Sequence, residues 1–366
     1  MKIFFGIFVL LHGIIHIIGF LKAFNIKTFT QIARPISKPI GILWLLSALF
    51  FSLFVILYFN HSDFSWIAGF TAVLLSQILI IQFWKETKYG TIANGIILLV
   101  SIFLFGMYTF HQRIQKETIQ LLRQNKMSKD SIVTAEELKD LPKPVQQWLY
   151  HSGIVGKPYI RIGNVVQKAE MQMKPDAENW MRASAVQYTV MEPPAFLWTV
   201  DASMNSLLSF QGRDKFENGE GEMLITINSL IPVVNERGKK LDEGTIQRYL
   251  GEMVWFPSLA LSPYIHWEKI NDTTAQATIT YNGTEGTGTF FFSSNGMVHK
   301  YSALRYKEND AQAKKYEWIM SIDDYKTFEG ITVPSNMRAT WKLEEGDWMW
   351  LKLEVLEIRY NENVKF

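Results

Sequence analysis

The sequence predicts a four-helix transmembrane region followed by a mainly antiparallel β domain, a curled sheet or half-barrel of about 10–11 strands covered by a helix. Three observations carry that prediction. Four apolar segments of bilayer-spanning length lie within the first 110 residues. Beyond Pro158, three Asn-Gly pairs sit between runs rich in Val, Ile, Thr, Tyr, Phe and Trp. One amphipathic helix is embedded among those runs.

The four segments are Ile3–Leu21, Ile40–Phe59, Phe64–Trp84 and Thr91–Phe110, each about twenty residues and nearly free of ionisable groups. Trp66 and Trp84 bracket the third, and Trp44, Tyr58, Tyr89 and Tyr108 lie towards the ends of the others, as interfacial aromatic residues do. Lys22, Lys27, Arg34 and Lys38 fall between the first two segments and Lys85 and Lys88 between the last two. The loop between the second and third has no Lys or Arg, so the first and third loops are expected in the cytoplasm and everything after Phe110 outside it. Arg113, Lys116, Arg123 and Lys126 point the other way, but a large domain translocates largely regardless of flanking charge. No small-residue cleavage site separates the first apolar run from Lys22, so it is read as a span and not a cleaved leader.

Residues 111–157 turn polar and are expected to form a helical linker and entry helix, with Thr134 and Glu137 spaced as a capping box. Residues 158–366 form the β domain. Asn218-Gly219, Asn282-Gly283 and Asn295-Gly296 are read as two-residue type I′ hairpin turns. The helix over 241–256 presents Ile246, Tyr249, Leu250, Met253 and Val254 on one face, with Asp242 and Glu243 at its positive end and Pro257 ending it. Pro232–Lys240 is expected to be a loop leading into it.

The stretches LPKPVQQWLYHSGIVGKP (Leu141–Pro158), GRDKFENGEGEM (Gly212–Met223) and QRYLGEMVWFPS (Gln247–Ser258) together resemble an uncharacterised bacterial family known as a domain of unknown function, some members of which carry N-terminal membrane spans. The resemblance covers about Leu141–Tyr360 and implies no activity. A curled antiparallel sheet covered by a helix also looks like the lipoprotein-carrier fold of the bacterial envelope, which implies an apolar concavity able to hold acyl chains.

Composition removes several chemistries. Among 366 residues, Lys+Arg 37 against Asp+Glu 35 gives a net charge of +2, which is no nucleic-acid footprint. Cys 0 excludes disulfides, thiolate metal sites and cysteine nucleophiles. No phosphate loop, zinc-protease motif or nucleophile elbow occurs, and His111, His151, His266 and His299 lack ligand spacing, so neither a metal nor a cofactor is expected in the β domain. His266 reads as a strand-surface histidine.

Two groups of candidate site residues remain. In the first span, His12 and His16 lie at i, i+4 on one helix face, spacing that suits a haem iron, a metal or a quinone, or bonding between helices. Gln77 and Asn94 read as interhelical glue. In the β domain the candidate ligand set is Asp214, Arg248, Tyr249, Glu252, Trp255 and Phe256. Arg248 and Glu252 read first as a solvated i, i+4 pair, and Trp255-Phe256-Pro257 first as helix packing. Lys215 is expected to face Glu222 across the hairpin.

Asp214 stands out. The register set by Asn218-Gly219 places it on the apolar face with Phe210, Gly212, Phe216, Met223, Ile225 and Ile227, whereas Arg213, Lys215 and Glu222 share the other face. It needs a partner, and Arg248 is the expected one.

The reading these observations favour is a membrane-anchored bacterial envelope protein in the cytoplasmic membrane, its partners the bilayer and a lipid or acyl-chain ligand. The alternatives are a membrane redox or cofactor protein using His12 and His16, and an interaction or signalling module that binds another envelope protein without a small ligand.

Overall fold

Uninterrupted apolar sequence builds the first elements: α1 (Lys2–Ala23), α2 (Lys38–Phe59), α3 (Ser65–Gln82), the single turn α4 (Trp84–Thr87) and α5 (Gly90–Leu122). The structure is a computed structural model and describes residues 2–27, 29, 34–126, 131–175, 177, 179–204 and 208–362. Four of these helices, all but α4, are long and apolar enough to cross a membrane. The last of them continues unbroken past Phe110 to Leu122, so the first part of the expected linker is the end of that helix. Residues 127–130 of the linker lie outside the described residues.

Two compact units result, Met1–Gln112 with Asn228–Leu230, and Arg113–Ile227 with Ile231–Phe366. The first is apolar outside as well as inside: Ile3, Leu11, Ile14, Leu49, Ile56, Leu74, Ile81 and Leu99 are exposed, while Ser47, Ser76, Asn94, His12 and His16 are buried. That inversion is what lipid as solvent selects. Small residues let the helices approach: a Cβ on Gly19 would lie 2.2 Å from the Trp44 ring and one on Gly41 2.3 Å from Ala23.

In the second unit, alternation of apolar and polar residues produces thirteen strands among the described residues: β1 (Ile162–Met171), β2 (Met181–Val190), β3 (Ala195–Ser203), β4 (Ser209–Glu217), β5 (Glu220–Ile227), β6 (Ile231–Arg237), β7 (Ile265–Asn271), β8 (Thr274–Tyr281), β9 (Thr284–Phe292), β10 (Val298–Tyr306), β11 (Lys315–Phe328), β12 (Ile331–Leu343) and β13 (Gly346–Tyr360). They form one antiparallel sheet in the order β6-β5-β4-β3-β2-β1-β13-β12-β11-β10-β9-β8-β7. The sheet curls until the β4–β5 turn meets the β8–β9 turn, where Thr284 Oγ1 donates to Gly219 O at 2.6 Å. It stays open, with β6 and β7 as edges.

Helix α7 (Lys239–Gly251) lies inside the curl and touches both β5 and β9. It gives way to 3-10 turns at Glu252–Trp255 and Pro257–Leu261. Its expected face, Ile246, Tyr249, Leu250, Met253 and Val254, is buried. Burial does not stop at that face. Asp242 accepts from Gly221 N at 2.8 Å, and Gln247 donates to Thr287 O and Leu304 O. A helix enclosed by a curled sheet has neighbours on both flanks, so one-face periodicity understates what it buries.

Four local readings are corrected. Pro232–Lys240 is no loop: its first part is edge strand β6, where Pro232 costs little because an edge leaves one row of N–H groups unpaired. Asn218-Gly219 and Asn282-Gly283 have positive φ at both positions, as type I′ turns require, but at Asn295-Gly296 only Gly296 does. That connection is a longer loop, followed by a register shift between Val298 and Lys300. Glu137 accepts from Thr134 N at 2.8 Å as in a capping box, yet residues 135–140 form only turns. The entry helix α6 begins later, at Lys143–Ser152, with Pro144 in its first turn and Val145, Trp148 and Leu149 in the core.

Candidate functional site

Cross-strand register on the inner face of the sheet places tryptophans side by side. Trp318 of β11 pairs with Trp341 of β12, and Trp341 with Trp348 of β13. With Trp350, Trp198, Trp255, Met223, Met320 and Met337, this row lines a cavity of about 420 Å³ between the sheet and the end of α7. That volume and this apolar, polarisable lining are those of a small-molecule pocket.

Charges gather on the cavity wall formed by β4 and the end of α7. Arg248 Nη1 donates to Asp214 Oδ2 at 2.7 Å and Arg248 Nε to Glu252 Oε1 at 2.7 Å. Glu252 Oε2 also accepts from Gln187 Nε2 at 2.8 Å. The Arg248 guanidinium lies 4.6 Å from the Trp198 ring centroid and 5.1 Å from that of Phe196. Asp214 therefore has the partner its place in the register calls for, but the Arg248–Glu252 pair is not solvated: Glu252 is 6% exposed. Burial pushes the Asp214 carboxyl up, with Arg248 opposing it. Burial also works against charge on Arg248, yet Glu252 and Asp214 hold its guanidinium above the usual value.

Arg305, on β10, also lines the cavity. Its guanidinium lies 4.4 Å from the Trp318 ring centroid. Among the described residues it has no ion-pair or hydrogen-bond partner, and its Nε is shielded without an acceptor, as are the indole N–H groups of Trp318, Trp348 and Trp350. Desolvation pushes Arg305 down to about 10, although Tyr301, Glu252 and Asp214 act through space to hold it up.

Of the six ligand candidates, Asp214, Arg248, Glu252 and Trp255 line this cavity. Tyr249 and Phe256 do not. Tyr249 donates its hydroxyl to Val190 O at 3.0 Å, and Phe256 packs edge-on to Tyr360 and so close to Gly163 that a Cβ there would lie 2.0 Å from its ring. Both are core residues. Trp255 also serves packing, donating Nε1 to Pro334 O at 3.2 Å. Arg305 and the tryptophan row went unnoticed in the sequence. The spacing of Trp348 and Trp350, two apart on one strand face, is the signal that marks part of the row.

The opposite face of β4 is also covered. Arg213, 2% exposed, has Nη1 2.6 Å from Glu222 and Nε 3.2 Å from Glu117 of α5. Glu222 further meets Arg237 at 2.7 Å and Lys215 at 3.8 Å. The expected Lys215–Glu222 pair is thus the longest of three contacts. His266 is exposed on its strand.

In the first unit, His12 Nε2 donates to Asn94 Oδ1 at 3.0 Å, while His16 bonds to His12 O and Ser76 Oγ, each at 2.9 Å. Asn94 Nδ2 donates to Gln77 Oε1 at 2.9 Å. Three ring nitrogens are thus engaged within the protein, in a network joining α1, α3 and α5. Coordination of an iron by His16 requires its ring to leave one of these bonds.

Residues 131–353 match the family described as "Family of unknown function (DUF6544)", and the chain belongs to that family. No curated protein matches it in sequence. Among solved structures it is similar to a DUF1329 family protein from Desulfovibrio piger, at 9% identity and a TM-score of 0.35 over 62% of this chain and 95% of that one. It is also similar to a LolA superfamily protein from Nitrosomonas europaea, at 10% identity and a TM-score of 0.30 over 56% and 88%. A β-barrel-like DUF1849 protein from Brucella abortus gives 8% and 0.23 over 56% and 100%.

Proposed function

We propose that this family member is a membrane-anchored envelope protein whose β unit, outside the cytoplasm, binds an amphiphilic, mostly apolar ligand in the tryptophan-lined cavity. The cavity carries the reading. Its wall is aromatic and Met-rich and carries charged side chains from β4, the end of α7, β10 and β12, so a ligand with an apolar body and a polar group matches it. The four apolar helices supply the anchor, and the Lys and Arg residues of the first and third loops support the orientation. The four lining candidates Asp214, Arg248, Glu252 and Trp255 hold the wall in place, and Asp214 ties the sheet to the covering helix.

The test is purification of the full chain in a mild non-ionic detergent, with co-extracted lipids identified by mass spectrometry in wild type and in Trp341→Ala. A lipid retained in stoichiometric amount by wild type and reduced in the variant supports the reading. A lipid-free wild type that also takes up no added fatty acid overturns it. Protease added to intact spheroplasts is expected to digest the β unit, and digestion in inverted vesicles alone reverses the orientation.

A further inference from the structure

Burying a guanidinium without a counter-charge is costly, and proteins rarely retain one unless something pairs with it. The cavity-lining charges show which ones are already taken. Arg248 holds Asp214 and Glu252, Lys307 meets Glu308 at 2.6 Å, and Arg338 is paired with Asp323. Arg305 alone among the lining cations has no carboxylate within ion-pair distance among the described residues. It does not stand in open water either: Trp318 covers it on one side, and the Trp341 centroid lies 5.8 Å away. Asp214 and Glu252 act on it through space, but their nearest cation is Arg248. The shielded side-chain groups of the lining that lack a partner, Arg305 Nε and three indole N–H groups, are all donors. A wall with unmatched donors calls for a ligand bearing acceptors.

We propose that the ligand of this cavity is a single-headed anionic amphiphile, whose carboxylate or phosphate oxygens pair with the Arg305 guanidinium while its apolar body lies along the Trp318–Trp341–Trp348 row. This rests on the ligand-binding reading above and adds the chemistry of the head. A planar guanidinium suits both anions, because its forked donors match two oxygens at once. The low dielectric of the aromatic wall strengthens that pairing. The Arg248 cluster then frames the head: Glu252 has both oxygens already engaged and Asp214 has one, which leaves Arg305 as the available cation.

Native mass spectrometry of the full chain released from non-ionic detergent tests this with four ligands of equal chain length: dodecanoate, dodecyl phosphate, the uncharged methyl dodecanoate and dodecyltrimethylammonium. Wild type is expected to retain the anions at least about tenfold better than the methyl ester, as a charge-assisted hydrogen bond implies. Arg305→Met, which keeps the stem and removes the charge, is expected to bring that ratio near one by weakening anion retention most, and Arg305→Lys to restore part of it. The stronger of the two anions distinguishes a free fatty acid from a phosphate-headed lipid as the source. Equal retention of ester and anions by wild type, a ratio unchanged in Arg305→Met, or preference for the ammonium overturns the anionic head while the apolar pocket stands. Failure of wild type to retain any of the four overturns the pocket itself.

Discussion

Two arginines of the β unit, one on each face of the sheet, meet burial in opposite ways. Arg213, on the outer face, is enclosed by Glu117 and Glu222, and the end of α5 seals the region with Leu121 packed near Leu197 and Val190. Arg305, on the inner face, stacks on Trp318 and, among the described residues, meets no carboxylate at contact distance. The contrast separates structure from site. A buried charge held between carboxylates locks elements together, whereas one held in a cavity without them imposes a standing cost that a ligand can remove.

Removing each charge in turn is the sharpest way to break that comparison. Arg213→Met removes the cation that Glu117 and Glu222 share, leaving them Arg113 and Arg237, and is expected to destabilise the β unit by about 3 kcal/mol. Thermal unfolding of the full chain, followed by tryptophan fluorescence, measures it, and an unshifted transition contradicts the structural role.

Gln247→Ala comes next, at about 1–3 kcal/mol, because the carbonyls of Thr287 and Leu304 lose a buried donor. The same unfolding measurement in Gln247→Glu separates lost bonding from lost volume. Equal transitions for wild type and Gln247→Ala would show that this flank of α7 is open to water.

Arg305→Met is expected to behave in the opposite sense, leaving ligand-free protein as stable as wild type or more stable by about 1 kcal/mol, since it replaces an unpaired charge by an apolar side chain against tryptophans. A loss as large as that of Arg213→Met erases the distinction between the two arginines. The transition temperature of delipidated protein decides between them.

The Asp214 side of this picture was legible from local sequence. Asn218-Gly219 fixes the β4–β5 register, so Asp214 opposite Met223 follows from counting, and a buried carboxylate then demands a cation on the covering helix. The spans follow from length and hydropathy. Arg305 is different. Its meaning depends on β10 pairing with β11, on Trp318 lying two residue pairs away, and on the absence, among the described residues, of a carboxylate at contact distance, and no local pattern records an absence. Arg213 falls on the face opposite Asp214, and alternation assigns faces without saying what covers them; here α5 covers the second face. Gln247 lies off the predicted face of α7 yet is buried for the same reason, a helix enclosed on two flanks being indistinguishable by periodicity from one that lies on a sheet.

The smallest effect concerns Glu222, the carboxylate at the centre of the outer-face cluster. Burial alone would raise it, but the hydrogen bond from Arg213 and the charges of Lys215, Arg213 and Arg237 bring it below the ordinary carboxylate range. A carboxyl depressed in the folded state binds protons less readily there than in the unfolded chain. Its stabilising contribution is therefore complete above the ordinary carboxylate pKa and is lost as pH falls through the folded value. Glu222→Gln removes that contribution at neutral pH and removes the matching part of the acid limb. The gap in transition temperature between wild type and variant is expected to be widest near neutrality and to narrow as pH drops below the ordinary carboxylate range. Arg305→Met is expected to show a smaller acid dependence of its gap, because Asp214 and Glu252 reach that guanidinium only through space. A Glu222→Gln gap that stays constant into acid would mean that the outer cluster holds by shape and packing, and the charge contrast between the two faces would then rest on Arg305 alone.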